Sequence, residues 1–111
     1  MKVAIIGGDQ RWLNVVDQEL MGLIEESGNY IFTVIGGYIN ECADVPLGQL
    51  WATFRGLPYL PQKYKDLGSM MHGVAAAADY IIFLNDGSQI MKRFMMTYRQ
   101  TGKHGSVINI G

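Results

Sequence analysis

Three short segments of the chain carry residues that could bind an anion or a sugar. Each follows an apolar, β-branched run, and the segments are Gly7-Gly8-Asp9-Gln10-Arg11-Trp12, Gly36-Gly37 and Asn85-Asp86-Gly87-Ser88. A glycine turn between a buried strand and a helix directs free backbone N–H groups outward, which suits a phosphate or a carboxylate. The segments therefore predict a ligand site, although many α/β proteins use such turns only to reverse the chain.

Arg11 and Trp12 are the most informative pair in the first segment. A cation in the first turn of a helix opposes the helix dipole, and a bound anion would reverse that cost. Trp12 could stack on a base or a nicotinamide-like ring. The alternative is that Arg11 is solvated and pairs with Asp9, the expected helix cap, while Trp12 packs at the edge of the core.

The last segment offers polar side chains and one glycine. Asn85, Asp86 and Ser88 could bind ribose hydroxyls, and Gly87 would let a ligand approach the backbone closely. The same four residues are also good turn formers, so they could simply connect a strand to a helix. The case for a ligand depends on several such turns meeting at one edge of a sheet.

Alternating apolar runs and amphipathic segments predict the elements that position these residues. The expected strands are 3–6, 31–35, 57–61, 80–84 and 107–110, and the expected helices are 11–26, 44–55, 63–77 and 90–101. Such alternation implies right-handed crossovers and a parallel sheet. We expect one three-layer, Rossmann-like, doubly wound α/β domain over residues 1–111, with strand order 3-2-1-4-5 and helices on both faces. Its ligand should bind at the carboxyl edge, beside the switch point between the first and fourth strands.

Composition narrows the function classes. The chain has 111 residues, 49% of them hydrophobic and 17% charged, with a net charge of −1, so a broad basic face for nucleic acid is not expected. No apolar run has the length of a membrane span and no secretion signal is visible, which favours a cytoplasmic protein without a membrane partner. The single cysteine, Cys42, suits a reducing compartment and is expected to be a buried apolar residue. His72 and His104 lack partners at ligand spacing, so we expect no metal.

Dinucleotide and P-loop signatures are absent from the sequence. No Gly-x-Gly-x-x-Gly follows the first strand and no Gly-Lys-Ser/Thr occurs, which argues against a common NAD dehydrogenase or a P-loop NTPase. We therefore expect no such cofactor.

A longer set of residues resembles the SLOG superfamily, especially its small YspA-like members, which are related to the DNA-processing protein DprA and to the LOG phosphoribohydrolases. The resemblance is carried by Trp51-Ala52-x-x-Arg55-Gly56-Leu57-Pro58, Gly36-Gly37, Ala43-Asp44, Tyr64, Ala78-Asp79 and Asp86-Gly87-Ser88. It implies a Rossmann-like domain that binds a nucleotide or a nucleotide-derived small molecule. Gly36 and Gly37 then match the first glycine pair of the family, and Asp86, Gly87 and Ser88 its second phosphate-binding turn.

The sequence also departs from that pattern. Tyr38-Ile39-Asn40-Glu41 stands where the family has a further glycine, and Gln89-Ile90-Met91 stands where it has Gly-Thr. The arginine and glutamate of the phosphoribohydrolases have no clear counterpart, so the resemblance implies binding more directly than hydrolysis.

Three hypotheses follow from the sequence. The first is a module that binds a nucleotide-derived molecule, for example as a sensor. The second is a hydrolase of N-glycosidic bonds, for which Asp9, Glu41 and Asp86 are the available carboxylates. The third is a homo-oligomeric interaction protein without a ligand, for which the apolar helix over 90–98 is a candidate dimer surface.

Overall fold

Strands and helices alternate along residues 1–39 and 45–111, the parts of the chain that the computed structural model describes. The elements are β1 (Lys2–Ile6), a 3-10 helix (Gln10–Trp12), α1 (Leu13–Ser27), β2 (Thr33–Ile39), α2 (Leu47–Arg55), β3 (Tyr59–Tyr64), α3 (Leu67–Ala77), β4 (Tyr80–Asn85), α4 (Gln89–Arg99) and β5 (His104–Asn109). The sequence predicts an irregular loop over residues 38–43, but Tyr38 and Ile39 belong to β2. The rest of that loop, the expected burial of Cys42 and the expected helix cap at Asp44 lie outside the described residues.

All neighbouring strands of the sheet run parallel, in the order β3-β2-β1-β4-β5. Apolar residues of α1 and α2 pack on one face of the sheet, and those of α3 and α4 pack on the other. The sequence of β4 is a continuous apolar run because both of its faces are buried. Ile82 and Leu84 pack on the face covered by α1 and α2, whereas Ile81 and Phe83 pack on the face covered by α3 and α4. The predicted Rossmann-like, doubly wound fold class and its strand order are confirmed.

The paired glycines Gly36 and Gly37 lie inside β2, so the turn that they predicted there is wrong. They pair with Pro61 and Gln62 of β3, and neither has a positive φ. A β-carbon on Gly36 would lie 1.8 Å from the hydroxyl oxygen of Tyr59. The physical reason for glycine here is therefore the close approach of an aromatic side chain, which is a known use of glycine within strands.

The predicted start of the third helix at Lys63 is also wrong, because Lys63 and Tyr64 belong to β3. α3 begins at Leu67, where the Asp66 carboxylate accepts a hydrogen bond from the Ser69 N–H at 2.7 Å. A side-chain oxygen at this position satisfies a backbone donor that the helix itself cannot pair.

The apolar residues of α4 mostly face the sheet. Met91, Phe94 and Tyr98 are buried, and the Tyr98 hydroxyl donates to the His104 carbonyl at 2.6 Å. Burial raises the pKa of Tyr98 to about 12. Of the helix residues considered as a dimer surface, Ile90 and Met96 remain exposed.

One carboxylate joins α1 to α2. Asp17 accepts hydrogen bonds from the indole N–H of the fully buried Trp51 at 3.0 Å and from Arg55 Nε and Nη2 at 2.7 and 2.6 Å. Its hydrogen bond with Arg55 lowers the pKa of Asp17 below its ordinary value of 3.8. The helix pair is therefore held by a bidentate ion pair and by a buried donor that needs this acceptor.

We expect Asp17→Ala to lower the free energy of unfolding by about 1–3 kcal/mol, because the Trp51 N–H would be buried without a partner. Asp17→Asn keeps an oxygen for Trp51 and should cost less. Since the pKa of Asp17 is lowered in the folded chain, the advantage of the wild type over Asp17→Asn is complete above the ordinary carboxyl pKa and is lost as the pH falls through the lowered value.

Urea denaturation of the wild type and both variants, at neutral pH and at about pH 3, measures these differences. Equal stability of the two variants at neutral pH would contradict the role given to the Trp51 hydrogen bond. A wild-type advantage over Asp17→Asn that grows in acid would contradict the sign of the pKa effect.

Candidate functional site

The strands β1 and β2 are paired only near their beginnings. Within the described residues, their register covers Lys2 with Thr33 and Val3 with Val34, whereas β2 pairs with β3 at six positions from Val34 onward. A cavity of about 260 Å³ lies between the unpaired ends of β1 and β2, and it touches the amino-terminal end of α2. Its lining residues are Ile5, Ile6, Gly7, Gly8, Gly36, Gly37, Val45, Pro46, Leu47, Tyr59 and Met70. We call this cavity the apolar compartment.

A second cavity, of about 530 Å³, lies beside the first. It is lined by Gly8, Asp9, Gln10, Arg11, Val45 and Leu50, and we call it the charged compartment. Because Gly8 and Val45 line both, the two compartments form one groove at the carboxyl edge of the sheet. The groove brings together five predicted site residues, namely Gly7, Gly8, Arg11, Gly36 and Gly37.

Arg11 pairs with Asp9, which is one of the two alternatives drawn from the sequence. Asp9 Oδ1 accepts from the Arg11 backbone N–H at 2.9 Å and from Nε at 3.0 Å, and Oδ2 accepts from Nη2 at 2.8 Å. The hydrogen bond from the guanidinium lowers the pKa of Asp9. The side chains of Arg11 and Asp9 are 78% and 49% exposed, so the pair is a surface ion pair, a kind that contributes little to folding stability.

Trp12 packs with the core on the side of α1 and α2, where it is partly buried. It is not among the described residues that line the groove. Its surroundings therefore match the packing alternative and give no support to stacking on a ligand.

The turn Asn85–Ser88 is occupied by its own hydrogen bonds. The Asn85 side chain donates to the Asn109 side chain at 3.0 Å and accepts a hydrogen bond from the Gly87 N–H. The Asp86 carboxylate accepts one from the Ser88 N–H. Ser88 Oγ accepts one from the Met91 N–H at the start of α4. These bonds use side-chain atoms that were expected to bind a ribose. Leu84, the residue before Asn85, lies against Gly7 and Gly8, but the four turn residues are not among the described lining of the groove.

Packing at the switch point between β1 and β4 explains this separation. The two strands stay paired as far as Ile6 and Phe83. At the next residue, a β-carbon on Gly7 would lie 2.8 Å from both the Leu84 carbonyl oxygen and the terminal methyl of Met91. Protein atoms thus fill the space beside Gly7 on the β4 side, and the groove lies on the β2 side.

The carboxylates considered for hydrolysis are not set up as general acids. Hydrogen bonding from Arg11 lowers the pKa of Asp9, and hydrogen bonding from Ser88 lowers that of Asp86. A general acid at neutral pH needs a raised carboxyl pKa instead. Glu41, the third candidate, lies outside the described residues.

The structure adds Tyr59, Met70 and Val45 to the groove, none of which was singled out from the sequence as a ligand residue. A glycine within a strand often marks the close approach of another group, but this signal for Tyr59 was missed because a turn was predicted at Gly36 and Gly37. Met70 and Val45 gave no comparable signal, because apolar residues next to helices are expected in any core.

Neither a metal site nor a membrane span is found in the described parts of the chain. Over 1–39 and 45–111, no group of three or more His, Cys, Asp or Glu residues could hold a metal ion. Within the same ranges, no helix combines the length and apolar character that crossing a membrane would require.

Gly7 and Gly87 offer a matched test of how tightly the first turn is packed. Both have a left-handed backbone, with φ of 85° and 83°. Of the two, Gly7 alone has described atoms within 4 Å of the position that a β-carbon would take. We expect Gly87→Ala to lower the free energy of unfolding by about 1–2 kcal/mol through backbone strain alone. Gly7→Ala should cost more, because Leu84 and Met91 must also move.

Thermal or urea unfolding of the two variants measures the difference. Equal losses would show that the contact between the first turn and β4 is loose, and the explanation for the filled switch point would then be wrong.

Comparison of the chain with models of protein families, with curated proteins and with solved structures found no match. The resemblance to the SLOG superfamily therefore stays a prediction from the sequence. A function for the chain has to be argued from the geometry of the groove.

Proposed function

We propose that the groove binds a nucleotide-derived small molecule, with a flat base in the apolar compartment and the sugar or phosphate end toward the charged compartment. The observation that carries the proposal is the early separation of β1 from β2, which opens a cavity at the carboxyl edge of a parallel sheet. This edge is where open α/β sheets bind their ligands.

The apolar compartment has the chemistry that a base requires. Its lining is aliphatic or glycine apart from Tyr59 and Met70, which offer a ring and a polarisable thioether for contact with a flat heterocycle. Its volume of about 260 Å³ is slightly below the roughly 300–1,000 Å³ of drug-sized ligand pockets. That size favours a base over a larger group, and the sugar and any further group must extend toward the charged compartment.

The charged compartment can receive the polar end. Arg11 presents a planar guanidinium, which can bind phosphate oxygens in a bidentate manner. Gly8 borders both compartments and has a φ of 70°. Leu84 and Leu47 occupy the space where its side chain would point, so Gly8 offers only backbone atoms to the groove.

In this proposal the turn Asn85–Ser88 positions the site without contacting the ligand. Its hydrogen bonds fix the start of α4, and the Met91 side chain of that helix packs against Gly7. The turn thereby supports the backbone of Gly7 and Gly8 at the wall of the groove.

Val45 gives the sharpest test of the proposal. It borders both compartments and is 56% exposed, so Val45→Trp should fill the groove without disturbing the core. Val15 on α1 is also an exposed valine, 40% exposed, and does not belong to the described groove lining, so Val15→Trp is the control.

The probes are adenosine, adenosine 5′-monophosphate, guanosine 5′-monophosphate and ADP-ribose. Their binding is measured by thermal shift and by calorimetry. At about a hundredfold excess over Kd, a bound probe should raise Tm of the wild type and of Val15→Trp by several degrees. Val45→Trp should show no shift. Failure of all probes at millimolar concentration, or unchanged binding by Val45→Trp, would overturn the proposal.

A further inference from the structure

Two opposite charges face the groove. Among its described lining residues, Asp9 and Arg11 are the charged ones, and both lie in the charged compartment. The net charge that these residues present to a ligand is therefore zero, although a phosphate needs an excess of positive charge.

Asp9 binds the same edge of Arg11 that a phosphate would use. Its two carboxylate oxygens accept from Nε and Nη2, at 3.0 and 2.8 Å, in a bidentate arrangement. A phosphate bound side-on to a guanidinium takes the same kind of paired donors. A phosphate and Asp9 would therefore compete for Arg11, and the displaced carboxylate would remain nearby as a like charge.

We propose that Asp9 is a specificity-determining residue that sets the charge of the ligand. Because Asp9 already pairs with Arg11, it offsets most of the binding free energy that a phosphate would gain from this guanidinium. The groove therefore binds a nucleoside and its monophosphate with similar affinity. Further phosphates add negative charge without a further cation in the described lining, and di- and triphosphates are disfavoured. This inference rests on the proposed function, because it concerns the same groove.

The variant Asp9→Asn tests the charge of Asp9 without removing its structural contact. The Asp9 carboxylate accepts a hydrogen bond from the Arg11 backbone N–H at 2.9 Å, and an asparagine amide oxygen can accept it as well. Asp79→Asn is the matched control, since it removes the same charge at the beginning of β4, on the opposite edge of the sheet. There the Asp79 carboxylate accepts from the Lys2 N–H at 2.8 Å, a bond that asparagine also preserves.

The experiment measures Kd for adenosine and for adenosine 5′-monophosphate by calorimetry. In the wild type and in Asp79→Asn, we expect the two Kd values to agree within about threefold, because Arg11 is already paired with Asp9 and contributes little to phosphate binding. In Asp9→Asn, the monophosphate should bind about tenfold more tightly than adenosine, because Arg11 is released and the like charge is removed. Raising the salt concentration should reduce that preference, while adenosine binding should stay unchanged.

The possible failures can be distinguished. If neither probe binds to any of the three proteins, the proposed function fails and this inference fails with it. If adenosine binds but Asp9→Asn leaves the ratio of the two Kd values unchanged, the groove is a site and Asp9 does not set its specificity. A wild type that already prefers the monophosphate by tenfold or more would also overturn the inference, since Arg11 would then be available despite Asp9.

Discussion

The pairing of β2 determines the shape of the carboxyl edge. Among the residues that the structure describes, β2 pairs with β1 at Thr33 and Val34 and with β3 from Val34 to Ile39. Two aromatic side chains of β3 pack on this part of β2, since Tyr59 lies against Gly36 and Tyr64 lies against Gly37. Glycine within a strand costs conformational entropy, and here the packing of two rings on the bare backbone offsets that cost. β1 and β2 pair at Lys2–Thr33 and Val3–Val34, and the cavity lies beyond these positions, next to the part of β2 that pairs with β3.

The same constraint extends into the helices around the groove. A β-carbon on Gly73 in α3 would lie 2.4 Å from the Tyr64 ring, so both the strand and the helix leave room for this side chain. On the opposite face, the contact of Asp17 with Trp51 and Arg55 holds α2 against α1. Since Leu47 at the start of α2 lines the apolar compartment, this contact also keeps one wall of the groove in place.

The sequence was sufficient for the strand order because alternation and handedness leave few topologies for five parallel strands. It was insufficient where contacts between distant residues outweigh local preference. A Gly-Gly pair predicts a turn when only its neighbours are considered. Gly36 and Gly37 instead make room for two tyrosine rings that follow more than twenty positions later in the chain. The contact of Asp17 with Arg55 has no local signal for the same reason, since Arg55 is 38 residues away. The Asp9 and Arg11 pair could be anticipated, because both partners lie in one turn.

Turns that are similar in sequence can differ in which of their polar atoms remain available to a ligand. Asn85–Ser88 directs its side-chain oxygens to its own backbone, which makes it a rigid connection into α4. Gly7 and Gly8 have no side-chain polar atoms, and within the described residues they border the cavity between β1 and β2. Trp51 and Arg55, which carry much of the resemblance to the SLOG superfamily, likewise have structural partners in this chain. The difference between a binding turn and a connecting turn thus lies in where its polar atoms find partners, which residue types alone do not reveal.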